Sequence, residues 1–131
     1  MQTSPCDIHL RGLRLEAPEA YSYVYYATFI AGERDFLKVR KNDVVLGAGA
    51  FIGGYTVKVA RKAKEVVAVE PFPWAFKVLK RNMETNGLRN MVLVNKALYS
   101  VDGLNVRIKD GGITSSMGFS ERVTIDSLGK F

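Results

Sequence analysis

The sequence predicts an α/β fold, half of a doubly wound parallel sheet with helices on both faces, and three observations predict it. Short continuous apolar runs, Val44-Val45-Leu46 and Val66-Val67-Ala68-Val69, suit parallel strands that are buried on both sides. The first run empties into a glycine-rich turn, Gly47-Ala48-Gly49-Ala50-Phe51-Ile52-Gly53-Gly54. Between about Asp43 and Asn95 the pattern alternates strand, helix, strand, helix, strand, and right-handed crossovers make that order half of a Rossmann-like sheet.

The elements follow in chain order. Met1 to Leu10 has no basic stretch followed by an apolar run, so a signal peptide is not expected, and the segment is expected to be loosely held. Pro18 followed by Glu19 opens a helix, since proline is tolerated in a first turn. Tyr21 to Ala31 is the longest apolar stretch; Ser22 and Thr28 interrupt it, it is too short to span a bilayer, and Gly32 ends it. Asp43 to Leu46 is the first strand, and the helix after its glycine turn is expected to run to about Lys64. Glu65 to Glu70 is a second buried strand, ending on an acid. Pro71-Phe72-Pro73 starts the next helix, whose expected core stripe is Phe72, Phe76, Leu79 and Met83, with Lys77, Lys80 and Arg81 off the stripe. Gly87 stands where a C-terminal cap glycine belongs. Met91 to Asn95 is the third strand, with the Val66 strand expected in the middle. Asn105 to Lys109 and Arg122 to Ile125 alternate as edge strands do, while Gly111-Gly112 and Thr114-Ser115-Ser116 look like loop. Residues 1–131 are expected to form a single domain, with 1–40 as an N-terminal lead-in.

Composition narrows the function classes. Cys6 is the only cysteine and His9 the only histidine, so an intrachain disulfide, a cysteine metal site and a histidine cluster are all excluded. A cytoplasmic compartment is expected, with no membrane partner. The net charge of +6 favours anionic partners in a general way. The basic residues read as spread over outer helix faces, which makes nucleic acid the less favoured partner class.

The candidate site lies where the first two strands end. A glycine-rich turn lets backbone approach a ligand without interference from Cβ atoms. An acid ending the next strand can accept hydrogen bonds from the two ribose hydroxyls of a nucleoside. Glu70 follows Gly47 by 23 residues, close to the roughly 20 expected of such a site.

With these residues in place, the chain resembles the FkbM-type methyltransferases. Asp43 to Thr56 is similar to that family's first motif, and Val69-Glu70-Pro71-Phe72-Pro73 to its strand-end Glu-Pro-x-Pro element. Leu79-Lys80-Arg81-Asn82 with Asn86-Gly87-Leu88 resembles its next helix and cap, and Val92 to Leu98 its third strand and turn. Phe29 to Glu33 resembles its lead-in, and Val123-Thr124-Ile125-Asp126-Ser127-Leu128 a later segment. The resemblance implies a class I methyltransferase half-sheet that takes S-adenosylmethionine. Gly47, Gly49, Ala50, Phe51 and Gly53 would then lie beside the cofactor, with Gly49, Ala50 and Gly53 at its methionine end. Glu70, followed by Pro71, would hold the ribose, and Asn95, Lys96 and Ala97 would border the adenine. It implies O-methylation of a small molecule or sugar; no catalytic residue is assigned. That family carries an acid where Gly47 stands, so Gly47→Asp is expected to strengthen cofactor binding if the rest of the site survives, and the Phe51 ring is expected to crowd the turn.

Two other functions stay open: a catalytically silent binding or assembly module, and an RNA-directed methyltransferase. The Val44–Leu46 strand is expected to keep one free edge. A free edge templates pairing with another chain, so a homodimer through that edge, or its coverage by Tyr21 to Ala31, is expected.

Overall fold

The computed structural model describes residues 4–98, together with 105–109 and 120–126 as backbone strands. The N-terminal stretch is not loose. β1 (Pro5–Leu10) and β2 (Leu13–Pro18) form an antiparallel hairpin that pairs Leu10 with Leu13 and Pro5 with Pro18. Its two-residue loop places Arg11 at φ 50° and Gly12 at φ 80°, the doubly left-handed turn that matches the twist of the strands. Leu13, Leu15 and Ala17 alternate along β2 into the core, and Ile8 joins them from β1.

A single 3-10 turn (Glu19–Tyr21) leads into α1 (Tyr23–Phe29), which buries Tyr25 and Phe29. The central sheet follows as β3 (Val44–Ala48), α2 (Gly54–Ala60), β4 (Glu65–Val69), α3 (Pro73–Thr85) and β5 (Met91–Val94). Its strands are parallel in the order β3-β4-β5, so the Val66 strand is central as expected. α2 ends at Ala60 instead of Lys64. The chain must turn early so that the Lys64 amide can donate to Asp43 O at 2.9 Å and set β4 beside β3.

The sheet is two-sided in a way the sequence pattern does not foretell. Rows Val45–Val66–Met91 and Gly47–Ala68–Leu93 point to the helices and are buried or half-buried. The opposite rows leave Val44 61%, Leu46 44% and Val92 48% exposed. Two right-handed crossovers stepping in the same direction along a sheet put both helices on one face, so the expected second layer is not built from α2 and α3. α1 packs on α2, and β3 has no strand partner other than β4 among the described residues.

Of the expected stripe on α3, Phe72 and Leu79 are buried and Phe76 and Met83 are half-buried against the core, while Trp74, Ala75, Val78 and Asn82 widen the buried face. Gly87 caps it as expected: the Leu88 amide donates to Met83 O at 3.1 Å and the Gly87 amide to Glu84 O at 3.1 Å, the two bonds of a Schellman cap.

Two asparagines of this region do a strand's work. Asn82 Oδ1 accepts from the Glu16 amide at 2.7 Å, and its Nδ2 donates to Glu16 O at 3.0 Å. Asn86 repeats the pattern at Arg14, with both bonds at 2.9 Å. Four helical residues rise about 6 Å and two strand residues about 6.6 Å, so side chains one helical turn apart meet alternate residues along the outer edge of β2.

Beyond β5, β6 (Ala97–Leu98), β7 (Asn105–Lys109) and β8 (Ser120–Asp126) form a further sheet in the order β6-β8-β7. β8 runs parallel to β6 and antiparallel to β7. The expected loops at 111–112 and 114–116, and the end of the later family segment at 127–128, lie outside the described residues. No helix among the described residues is long and apolar enough to cross a membrane.

Candidate functional site

The site forms where β3 and β4 end. The Ala50 amide donates to Val69 O at 2.9 Å, which ties the glycine turn to the last residue of β4. Glu70 follows at once and is 4% exposed. Its Oε1 accepts from the Phe51 amide at 2.7 Å and its Oε2 from the Phe72 amide at 2.8 Å. Burial nevertheless raises its pKa above the ordinary value, against those two hydrogen bonds. Asn95, just past β5, donates from Nδ2 to Glu70 O at 2.8 Å and Pro71 O at 3.1 Å. Three strand ends are thus laced together by Ala50, Glu70 and Asn95. Lys96 and Ala97 come next, and Ala97 opens β6 by pairing with Ile125 of β8.

The turn residues have different tasks. Gly49, at φ +70°, faces open space: a Cβ there would meet nothing within 4 Å. Gly53, at φ +93°, is a packing residue, since a Cβ would come 2.6 Å from Leu79 Cδ1 on α3. Gly47 is the point of closest approach between β3 and α2, where a Cβ would overlap the Thr56 methyl. Any side chain at 47 must displace the methyl of buried Thr56, so the expected gain from Gly47→Asp depends on whether the site survives that shift.

Phe51 also departs from expectation. It sits at φ 55°, a left-handed conformation that costs a non-glycine residue about 1–3 kcal/mol. Its ring does not crowd the turn but packs edge-on against Tyr21 at 5.3 Å and Trp74 at 5.5 Å. The aromatic packing and the Glu70 hydrogen bond together hold the strained residue.

Behind the turn lies support that the sequence pattern did not reveal. Tyr25 donates from its hydroxyl to Glu16 O at 2.6 Å and accepts from Asn82 Nδ2 at 2.7 Å. Asn82 Nδ2 also lies 3.1 Å from Ile52 O, within the turn. Burial pushes the Tyr25 hydroxyl pKa well up, so it stays a neutral donor. The spacing of Asn82 and Asn86, one helical turn apart and ahead of a cap glycine, was the available signal.

As a set, these residues offer a carboxylate, an exposed stretch of turn backbone and a strand-end amide side chain. They can bind and orient a polar ligand. A concavity of about 290 Å³ lies elsewhere, against the outer face of α2, and shares no residue with the turn or Glu70.

Comparison with known proteins gives the context. The sequence model of the TRM5/TYW2 methyltransferase domain matches residues 12–117. The tRNA (guanine(37)-N(1))-methyltransferase Trm5b of Pyrococcus abyssi is 34% identical over 83 residues, which are 62% of this chain and 24% of that protein. Among solved structures, M. jannaschii TYW2 in complex with AdoMet superposes with a TM-score of 0.64 at 22% identity, covering 86% of this chain and 50% of that one. The complex of aTrm5 and tRNALeu contains a chain with a TM-score of 0.64 at 24% identity, covering 83% of this chain and 31% of that one. These two superpositions show the class I methyltransferase fold. This chain spans a quarter of the curated relative and half or less of the two solved chains. The family match overturns the resemblance to the FkbM-type enzymes. The motifs that carried it, a glycine turn and a strand-end acid before proline, meet the demands of this half-sheet and do not separate one family built on it from another.

Proposed function

We propose, from the premise that the chain belongs to the TRM5/TYW2 methyltransferase domain family, that it binds S-adenosylmethionine at the glycine turn and Glu70 and serves methyl transfer to RNA. The observation that carries the reading is the Glu70 carboxylate at the joined ends of β3 and β4. Its two oxygens offer about four acceptor sites, and the Phe51 and Phe72 amides take two of them. The remaining capacity matches the two hydroxyls of a ribose. The open space at Gly49 supports the same reading, because backbone there can meet a ligand directly. Gly47, Ala50, Phe51 and Gly53 shape the turn around it, and Pro71, Asn95, Lys96 and Ala97 form the border on the β5 side.

A bound S-adenosylmethionine supplies an electrophilic methyl group on sulfur. The chain's own part is to fix the nucleoside end through Glu70 and to keep the turn rigid through Asn82 and Tyr25. Positioning of that kind can supply a large share of the acceleration. RNA is the favoured acceptor because the curated relative is a tRNA methyltransferase and the chain carries a net charge of +6. O-methylation of a small molecule or sugar rested on the FkbM resemblance and falls with it.

Calorimetric titration with S-adenosylmethionine and its demethylated product tests the cofactor, and transfer of labelled methyl to unmodified tRNA tests the acceptor. Saturable binding and label in tRNA are expected. A folded chain that gives no heat with either compound overturns the cofactor reading. Label entering small molecules but not tRNA overturns the acceptor.

A further inference from the structure

We infer that the groove on the outer face of α2 is a docking site for the phosphate backbone of RNA. The inference rests on the RNA-directed reading above and names where that partner lies.

The groove has a volume of about 290 Å³ and gathers charge from three separate segments. Arg11 comes from the left-handed hairpin turn, Arg34 and Lys38 from the stretch after α1, and Lys58 and Lys62 from α2 and its end. These five basic side chains share one carboxylate, Asp35. The basic residues are therefore not spread evenly over helix faces as the sequence suggested.

Asp35 is already committed. Its Oδ1 accepts from Lys58 Nζ at 2.6 Å, and the same ammonium donates to Thr28 O at 2.8 Å. That hydrogen bond, with the nearby charges of Lys58, Arg11 and Lys62, holds the Asp35 carboxyl below its ordinary pKa. One ammonium is thus neutralised, while Arg11, Arg34, Lys38 and Lys62 have no carboxylate partner among the described residues. The backbone that carries Arg11 and the side chain of Arg34 are held by other means. The Arg61 guanidinium donates to Arg11 O at 2.5 Å and anchors the hairpin turn against the end of α2. The Arg34 guanidinium lies over the Tyr55 ring, 5.7 Å from its centroid, as a cation–π pair does.

A cleft lined by one sign of charge focuses the field on its occupant. The occupant is a polyanion and not a single small anion, because the cations lining the groove come from three separate segments and four of them have no carboxylate partner among the described residues. The lining includes Tyr55, which directly follows Gly54 at the end of the glycine turn, so groove and turn are neighbours along the chain. An RNA strand lying along α2 would be led to that turn.

The test is binding of a short RNA stem-loop of arbitrary sequence, measured by fluorescence anisotropy over a series of salt concentrations. Lys38→Ala with Lys62→Ala removes two exposed charges. It should weaken binding about ten-fold at low salt and flatten the slope of log K against log salt by roughly 0.7–0.9 for each phosphate no longer neutralised. Asp35→Asn should tighten binding and leave the slope at least as steep. Affinity and slope unchanged in the double variant, or polyglutamate bound by the parent as tightly as RNA, would overturn the inference. Titration of S-adenosylmethionine into the same double variant separates it from the reading beneath. Cofactor binding together with parent-like RNA binding rejects the groove alone. No cofactor binding together with a groove-dependent RNA slope rejects the cofactor site and sustains the groove.

Discussion

At Glu70 the carboxylate placed to meet a ligand also holds the backbone around it, so its substitution tests both roles. Burial raises its pKa above 4.5 by more than the Phe72 and Phe51 amides lower it. Between 4.5 and the folded value, the folded chain keeps a proton that the unfolded chain has lost. Stability therefore falls as pH rises through that window and is level above it. Glu70→Gln removes the titration and flattens this decline. It should also cost about 1–3 kcal/mol, because a single amide oxygen replaces two acceptors and one backbone N–H loses its partner. Urea unfolding at several pH values reads both effects, and an unaltered pH profile would assign the decline to another group. Thr56 gives a cleaner case. Its Oγ1 is buried without a partner among the described residues, while its methyl fills the space over Gly47. Thr56→Val keeps the methyl and removes the hydroxyl, so denaturation should show a gain of about 1–2 kcal/mol. A loss would mean that the hydroxyl is satisfied after all. Glu70 and Gly49 were legible in the sequence because strand ends fix where they stand. The direction of the Phe51 ring was not, since it depends on a positive φ that no residue pattern carries.

Among the elements, the parallel strands were the easiest to read, because continuous apolar runs such as Val66 to Val69 have few other uses in a chain of this size. The hairpin was hidden for a physical reason. Its turn is Arg11-Gly12, without the asparagine or aspartate that usually marks a doubly left-handed loop. The alternation of Leu13, Leu15 and Ala17 about that glycine was the signal available. The bonds from α3 to β2 were hidden in a different way, since they join residues 66 and 72 positions apart. Asn82 and Asn86 should differ in weight. Asn82 is 1% exposed and also supports Ile52 and Tyr25, whereas its neighbour's bonds to Arg14 lie at the surface. Asn82→Ala strands several buried partners and should cost about 3 kcal/mol or more, against about 1 kcal/mol for Asn86→Ala. Equal losses in thermal or chemical unfolding would show that the buried network adds nothing to the edge bonds.

For the molecule as a whole, the sheet's two faces make opposite demands on sequence. Val66 and Val92 are both valines of parallel strands, yet they stand at 0% and 48% exposure. Val66→Ala should cost about 2 kcal/mol through the cavity it leaves, while Val92→Thr should stay within about 0.5 kcal/mol. Similar costs at both positions in denaturation would mean that the outer face is covered in solution. The sequence could not reveal this asymmetry, because a continuous apolar run looks the same whether one face or two are buried. Family was equally hard to read, since the glycine turn and Glu70 belong to the shared half-sheet. The asparagine pair has a further consequence, for the order in which the chain assembles. Asn82 and Asn86 align with Glu16 and Arg14 only when α3 is already helical, so the outer edge of β2 cannot close until that helix exists. The hairpin should therefore dock late, beyond the rate-limiting barrier. In stopped-flow experiments Asn82→Ala should accelerate unfolding and leave the refolding rate almost unchanged. A variant that refolds slowly instead would place the helix–hairpin clasp inside the folding nucleus.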